Sequence, residues 1–443
     1  MKRSVTRLFT VTLDVWTSTA FTCALLLVAS AHTAAAAGVV GTGTAASCTE
    51  HALSAALSGG GVVTFNCGGP ATITVTGTPT IQADTTVDGG GVITISGGYS
   101  VGICVVGHIG NLTVQNLTLV DGNGGNYSVG GALYNNGGTL TVTNCTFSGN
   151  GNAIYNTNGG TLSITNSTFS GNTPTSYGPG AIYNDSTLSI TNSTFSGNSV
   201  GPISNSGTLS ITNSTFSGNT GSGSIASGLV NYGTLTLTNT IVANSTKGAN
   251  CSGTIIDGGH NIDDGKTCGF KGTNCTSTTG SSFCNTNPVL DPTGLANNGG
   301  PTQTIALCGG IGIPNASCTS STASPAINAG NESICAASPV NNLDQRAYVR
   351  PGAGATSCSI GAYEYNAVPA SPNPTPTPST STCVGDCNGD GTVTVDEILT
   401  MVNIALGNAD ATACPGSVPS GDEVNISLVL QAVNNALNGC GGG

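Results

Sequence analysis

Near the C-terminus, Asp386, Asn388, Asp390, Thr392, Thr394 and Glu397 punctuate the stretch Asp386-Cys-Asn-Gly-Asp-Gly-Thr-Val-Thr-Val-Asp-Glu397. Each of them can offer oxygen, and hard oxygen donors in one short loop suit a hard divalent cation rather than a transition metal. The spacing is that of a calcium loop. Asp386, Asn388 and Asp390 ligate through side chains, Thr392 through its carbonyl, Thr394 directly or through water, and Glu397 with both oxygens. Gly391 permits the sharp turn, and Val393 pins the loop to a core.

An element must follow that loop to hold Glu397 in place. Ile398, Leu399, Val402 and Leu406 recur at helical spacing, so a helix is expected there. A second half is visible further on: Cys414 matches Cys383, and Val433-Asn-Asn-Ala-Leu437 matches Val402-Asn-Ile-Ala-Leu406. Ser417, Pro419 and Gly421 stand where its ligands belong, and Asp422 and Glu423 are displaced. One Ca2+ site is therefore expected, not two. Cys383, Cys387, Cys414 and Cys440, in a segment without aromatic residues, read as disulfide staples replacing a core, their connectivity open.

The remaining chemistry-bearing residues are sparse. No Lys or Arg occurs between Gly38 and Thr246, and the acids there are Glu50, Asp84, Asp88, Asp121 and Asp185. Glycoside hydrolysis needs two facing carboxylates about 5–9.5 Å apart. Asp84 and Asp88 lie in Ala-Asp-Thr-Thr-Val-Asp-Gly-Gly-Gly and read as turn residues. Gly259-His260-Asn261-Ile262-Asp263-Asp264 juxtaposes a His with an acid pair, but reads as a turn after the last repeat. Arg346 and Arg350 read as ties to acidic neighbours such as Asp344, and His51 as an exposed helix residue. No catalytic residue and no organic cofactor is assigned.

The frame for all of this is a sentence written repeatedly. Thr139–Asn150 reads TLTVTNCTFSGN; the stretches starting at Thr161, Thr187 and Thr208 each read TLSITNSTFSGN; a decayed copy begins at Thr234. A period of roughly 20–50 residues signals stacked supersecondary units. Within one copy, Leu162 and Ile164 alternate with hydroxyl residues, Phe169 is the one large apolar group of the next piece, and Ala181-Ile182-Tyr183 is a third. Three short strands joined by Asn and Gly turns cannot bury a core alone, but stacked as coils they can. Asn suits the corners because it tolerates left-handed backbone. The prediction is a mainly β chain: a right-handed parallel β-helix, of the architecture shared by pectin-degrading lyases, with a small all-α calcium-loop module after it. Leu162, Leu188, Leu209 and Leu235 should form one column; Phe169, Phe195 and Phe216 another. Cys48–Leu57 reads as a cap helix ahead of a first strand at Gly61. Asn-x-Ser/Thr tripeptides read as corner Asn followed by strand Thr.

Lys2, Arg3 and Arg7, the apolar run Ala20–Ala29 and Ala-rich small residues read as a secretory leader cut after Ala31 or Ala37. Of 17 cysteines, Cys23 leaves with it, and the even remainder predicts disulfides. Near-neighbour pairing predicts Cys48 with Cys67, Cys251 with Cys268, Cys275 with Cys284, Cys308 with Cys318 and Cys335 with Cys358, leaving Cys104 with Cys145. A net charge of −12 argues against nucleic acid and anionic membrane as partners, and no stretch after the leader is long enough to span a bilayer.

Three resemblances follow from these residues. The Phe-x-x-Asn units beside Gly-Ala-Leu-Tyr (131–134) and Gly-Ala-Ile-Tyr (180–183) resemble the repeats of polymorphic outer membrane proteins, which implies a surface-exposed adhesive β-helix over 111–245. NPVLDPTGLANNGGPTQTIAL, SPAINAGN, DQRAYVRP and CSIGAYEY resemble the choice-of-anchor Q domain, which implies a C-terminal extension of a β-helix without catalytic role. The calcium loop, helix and Cys flanks resemble a dockerin, an EF-hand-type module that docks onto a cohesin. The expected layout is a leader at 1–37, a β-helix at 38–284, the extension at 285–366, a Pro/Ser/Thr linker at 367–382 and the dockerin-like module at 383–443. The expected role is that of a secreted or surface-attached bacterial β-helix, structural or adhesive, binding a protein such as a cohesin or a cell-surface carbohydrate. The alternative is a polysaccharide lyase or glycoside hydrolase of the same fold, docked through its tail.

Overall fold

The computed structural model describes residues 38–125, 130–174, 178–222, 228–270 and 281–370, and within 383–438 all but 388–391, 407, 410–412, 415–423 and 425. The leader and most of the linker therefore lie outside the described residues.

The repeats form a parallel solenoid. Strands Thr139–Thr143, Thr161–Thr165, Thr187–Thr191, Thr208–Thr212 and Thr234–Thr238 pair in order, residue for residue. Strands Thr146–Ser148, Thr168–Ser170, Thr194–Ser196 and Thr215–Ser217 do the same, and together these belong to an 18-stranded sheet. The third strands, among them Ile154–Thr157, Ile182–Asn184 and Ile203–Asn205, form an 8-stranded sheet on another side. The expected columns are present: Leu162, Leu188, Leu209 and Leu235 are stacked in register and buried. Phe147, Phe169, Phe195 and Phe216 stack with centroids 4.6 Å apart at each step, near the lower limit of aromatic contact.

The corner before each Phe strand is turned by one asparagine. Asn144, Asn166, Asn192, Asn213 and Asn239 adopt φ of 47–54°, a left-handed conformation that Asn accepts more readily than other residues with side chains. Other asparagines point inward and were not foreseen as core. Asn135, Asn156, Asn184, Asn205 and Asn231 form a buried ladder, each Nδ2 donating to the next Oδ1 at 2.7 Å. Asn150, Asn172, Asn198 and Asn219 form a second, with steps of 3.1, 2.8 and 3.0 Å. These amides satisfy backbone groups at corners that water cannot reach.

The solenoid starts one strand earlier than expected. Gly38–Val40 pairs with Gly61–Phe65, and helix α1 (Glu50–Leu57) packs on that first strand, its Leu53 buried in the core. The uncovered end of a coil would expose unpaired backbone and apolar side chains, and α1 removes part of that exposure.

Residues 285–366 contain one short helix, α2 (Glu332–Ala336), and otherwise irregular chain. This extension lies along the Phe-strand side of the solenoid, sharing a core in which Ile241, Ala243 and Ile262 meet Ala306, Leu307, Ile360 and Tyr363. The tail contains α3 (Val395–Ala405) and α4 (Ile426–Asn438), packed through Val393, Met401, Cys414, Val424 and Ala432.

Disulfides join Cys48 to Cys67, Cys251 to Cys268, Cys308 to Cys318 and Cys335 to Cys358, as the spacing predicts, and Cys387 to Cys414 in the tail. Cys284 and Cys383 are also disulfide-bonded; Cys275 and Cys440 lie outside the described residues. The pairing of Cys104 with Cys145 is corrected: both thiols are free and buried. Cys104 occupies an inward position of the 8-stranded sheet, in register with Leu133. Cys145 replaces the serine of an inner corner column, taking the place of Ser167, Ser193 and Ser214 one rung on, and donates to the carbonyls of Thr143 and Val114. Each fills a core position of its own column, and burial pushes each thiol up to about 12.

Candidate functional site

The acids of the solenoid are held as structural parts. Asp84 accepts from Asn111 Nδ2 at 2.7 Å. Asp88 accepts from Gln115, Asn116 and the Gly90 amide at 2.8–3.0 Å. Asp88 stands opposite Gln115 in the strand register, whereas Asp121 follows the end of that strand, so the two do not share a column.

Around Gly259 the tempting triplet is separated by function. Nδ1 of His260 donates to the Ala329 carbonyl at 2.7 Å, which ties the extension to the coil. Asp263 is fully buried and accepts from Asn250, the Gly265 amide and the Cys268 amide at 2.6–2.9 Å. Asp264 accepts from the Asn244 amide. These acids close the turn that begins the last coil.

Two of the four blocks that suggested the extension, Asp344–Pro351 and Cys358–Tyr365, hold its buried ion pairs. Arg346 donates twice to one oxygen of Asp344, Nε at 2.8 Å and Nη2 at 2.6 Å to Oδ2, and its guanidinium lies over the rings of Tyr348 and Tyr363. Arg350 Nη1 pairs with Glu364 at 3.0 Å, both side chains fully buried, and its other donors reach the carbonyls of Leu343, Ser359 and Gly361. Burying charge is tolerable only when it is paired and fully hydrogen-bonded, which is the case here. The reading of Arg346 as a tie to Asp344 holds.

Between these two pairs, Gln345 reads the solenoid. Its Nε2 donates to Thr168 Oγ1 at 2.8 Å and Thr302 Oγ1 at 2.9 Å, and its Oε1 accepts from Thr194 Oγ1 at 2.6 Å. Ala362 donates to Thr215 Oγ1, Asn192 donates to the Leu343 carbonyl, and the Asn331 amide donates to Asn239 Oδ1. A polar groove of about 480 Å³ runs between coil and extension, bordered by Ser196, Ser217 and Asn244 on one side and Asn287 and Asp291 on the other.

Two surfaces remain open. One is a terrace of hydroxyls: Thr139, Thr161, Thr187, Thr208 and Thr234 are exposed in a single column, beside the column of Ser189 and Ser210. The other is on the 8-stranded sheet, where Tyr134, Tyr155 and Tyr183 occupy one column and are followed by Ser204 and Val230. The aromatic run was legible there as the tail of Gly-Ala-Leu-Tyr (131–134), Ala-Ile-Tyr (153–155) and Gly-Ala-Ile-Tyr (180–183).

In the tail, Asp386 and Glu397 are buried carboxylates. Glu397 caps α3: its Oε2 accepts from the Thr394 amide and hydroxyl at 2.8 and 2.9 Å, while its Oε1 accepts from the Cys387 amide at 3.0 Å. Glu397 therefore bridges the start of the loop and the start of the helix, which is where the last ligand of a calcium loop must stand. Thr392 is exposed and Val393 buried. Asn388 and Asp390 lie outside the described residues. On α3, Val395, Leu399 and Leu406 are exposed along one face, as are Leu430 and Leu437 on α4.

One further cluster of potential metal ligands stands out among the described residues, Glu332 with Cys335 and Cys358, but its sulfurs are joined to each other. Among the described residues no helix is long and apolar enough to cross a membrane. Compared with protein families, curated proteins and solved structures, the chain matches none.

Proposed function

We propose that the chain is an extracellular, surface-attached adhesive β-helix, right-handed and of the pectin-lyase-like architecture, whose tail is a one-site calcium module that docks a protein partner. The observation that carries the adhesive reading is the use made of the acids. Asp84, Asp88, Asp263 and Asp264 are engaged by amides of the fold, while the open faces are hydroxyl and aromatic. The disulfides are compatible with an oxidising, extracellular setting. Residues 285–366 serve as a choice-of-anchor Q-like clamp on the coil.

In the tail, Asp386, Asn388, Asp390, the Thr392 carbonyl, Thr394 and Glu397 would hold Ca2+. The described members fit that ion, being oxygen donors gathered between the loop and α3, with both carboxylates already desolvated. Bound calcium would neutralise three close carboxylates and fasten the loop to the helix. The exposed apolar faces of α3 and α4 are the surface offered to a cohesin-like partner.

Two measurements test this. Calorimetric titration of the secreted chain with calcium should give one ion per chain and none in Glu397→Ala; a stoichiometry of two, or unchanged binding in the variant, overturns the assignment. Assays on pectins and other glycans should give no turnover. Turnover that disappears in Asp263→Asn or Asp88→Asn would establish the chain as a polysaccharide lyase or hydrolase instead.

A further inference from the structure

The tyrosine column on the 8-stranded sheet ends abruptly. Tyr134 and Tyr155 meet edge to face at 6.4 Å, and Tyr155 and Tyr183 stack at 4.4 Å with planes 17° apart. The next residue in register is Ser204 and the one after it Val230. A serine cannot cover the distal face of the Tyr183 ring. The space left there is a cleft of about 250 Å³, lined by Tyr183, Pro179, Val200, Ser204, Val230 and Tyr232. Tyr232 is 77% exposed and follows the strand Leu229–Asn231, two residues past Val230, which is the residue two rungs from Tyr183 in register, so it flanks the Tyr183 column from the side. Two rungs span roughly 9–10 Å, which is about twice the 4.5 Å or more that separates stacked rings. The step left by Ser204 thus has room for one flat ring on the Tyr183 face, with Val230 beyond it in the column and Tyr232 beside it.

We propose that this cleft binds one pyranose unit of a neutral polysaccharide, stacked on Tyr183 and flanked by Tyr232. This rests on the adhesive reading above and names its ligand class. The chemistry of the lining selects the ligand. A pyranose presents axial C–H groups on its faces and hydroxyls at its rim; the tyrosine faces meet the first, and the Ser204 hydroxyl and phenol groups meet the second. Among the described residues no charged side chain lines the cleft, and the chain carries a net charge of −12, so acidic sugars are disfavoured.

The test uses the secreted chain against cellohexaose, mannohexaose and N-acetylchitohexaose, with hexagalacturonate as the acidic control. Binding is followed by calorimetry and by tyrosine fluorescence, since the one tryptophan, Trp16, lies in the predicted leader. Ser204→Phe is the decisive variant: it adds the missing ring to the column and fills the cleft. Tyr232→Ala removes only an exposed ring. The expected result is binding of at least one neutral oligosaccharide, and about tenfold or greater weakening in both variants, with unchanged melting temperature and circular dichroism. If a neutral glycan binds wild type and Ser204→Phe equally, the cleft is not the site and the adhesive reading survives. If the acidic control binds best, the ligand class is wrong. If wild type binds neither glycans nor cell surfaces, the adhesive reading falls and the cleft proposal with it.

Discussion

At the scale of single residues, the fold spends its polar side chains on itself. Asn184 accepts from Asn156 and donates to Asn205, Ser186 and Thr208. Replacing it with alanine leaves the Asn205 carbonyl without its ladder donor inside the core, so Asn184→Ala should cost about 1–3 kcal/mol in urea unfolding. The ladder has a natural end at Asn135, whose Oδ1 has no partner because Val106 stands opposite it in the preceding rung. Asp291 shows the same economy in the extension. Burial pushes its carboxyl up, but hydrogen bonds from Ser317, Asn315 and Thr293 outweigh that and hold it below the ordinary 3.8. A depressed folded value stabilises the folded state above the unfolded pKa, and that contribution is lost as pH falls through the folded one. Acid titration of stability should therefore lose one component below about pH 4 that Asp291→Asn does not show; identical acid profiles would remove Asp291 from the account. Corner asparagines were legible because left-handed backbone has few tolerant residues. Ladder asparagines were not, because the same residue type serves both uses and only the inward turn of the strand distinguishes them.

At the scale of elements, the repeat made the strands legible and left their surroundings obscure. Identical twelve-letter copies dictate identical partners, so the Leu and Phe columns follow from the sequence itself. Phe195, stacked between Phe169 and Phe216, should cost roughly 3–5 kcal/mol when replaced by alanine, read as a fall in melting temperature with the solenoid's circular dichroism retained at low temperature. The first strand, Gly38–Val40, was missed because it has no copy of the repeat and sits beside the expected leader boundary. Cys104 and Cys145 were mispaired because an even count was treated as a rule, whereas each cysteine substitutes for a core residue of its own column. The oxygen-donor pattern from Asp386 to Glu397 was legible in the sequence; the capping of α3 by Glu397 through Thr394 emerges only from the fold.

For the whole molecule, burial and connectivity make a sharp expectation. Among the described cysteines, Cys104 and Cys145 should resist thiol reagents in the native chain and become reactive in the denatured one; their reaction in the native state would mean that the coil opens where the core is described as closed. The extension is the other property of the whole. Its blocks were recognisable in the sequence, but not their purpose, since Gln345 acquires meaning only when Thr168 and Thr194 are brought beside it from over a hundred residues away. Gln345→Ala should loosen the extension from the coil, and proteolysis within 285–366 should quicken while the repeats stay resistant.

The same seat has a consequence for how such a chain can change over generations. Tandem copies are normally gained and lost freely, because each coil contacts only its neighbours. Here one folded unit grips Thr168, Thr194, Thr215 and Asn239 at once. Duplicating or deleting a copy between the first and last of these would displace one grip from another by a rung, about 4.8 Å, and the extension would fit neither. The coils before Asn144 carry no such grip among these contacts. Descendants of this chain should therefore vary in length toward the N-terminal end and keep a fixed count of coils beneath the extension, which acts as a ruler for its own lineage.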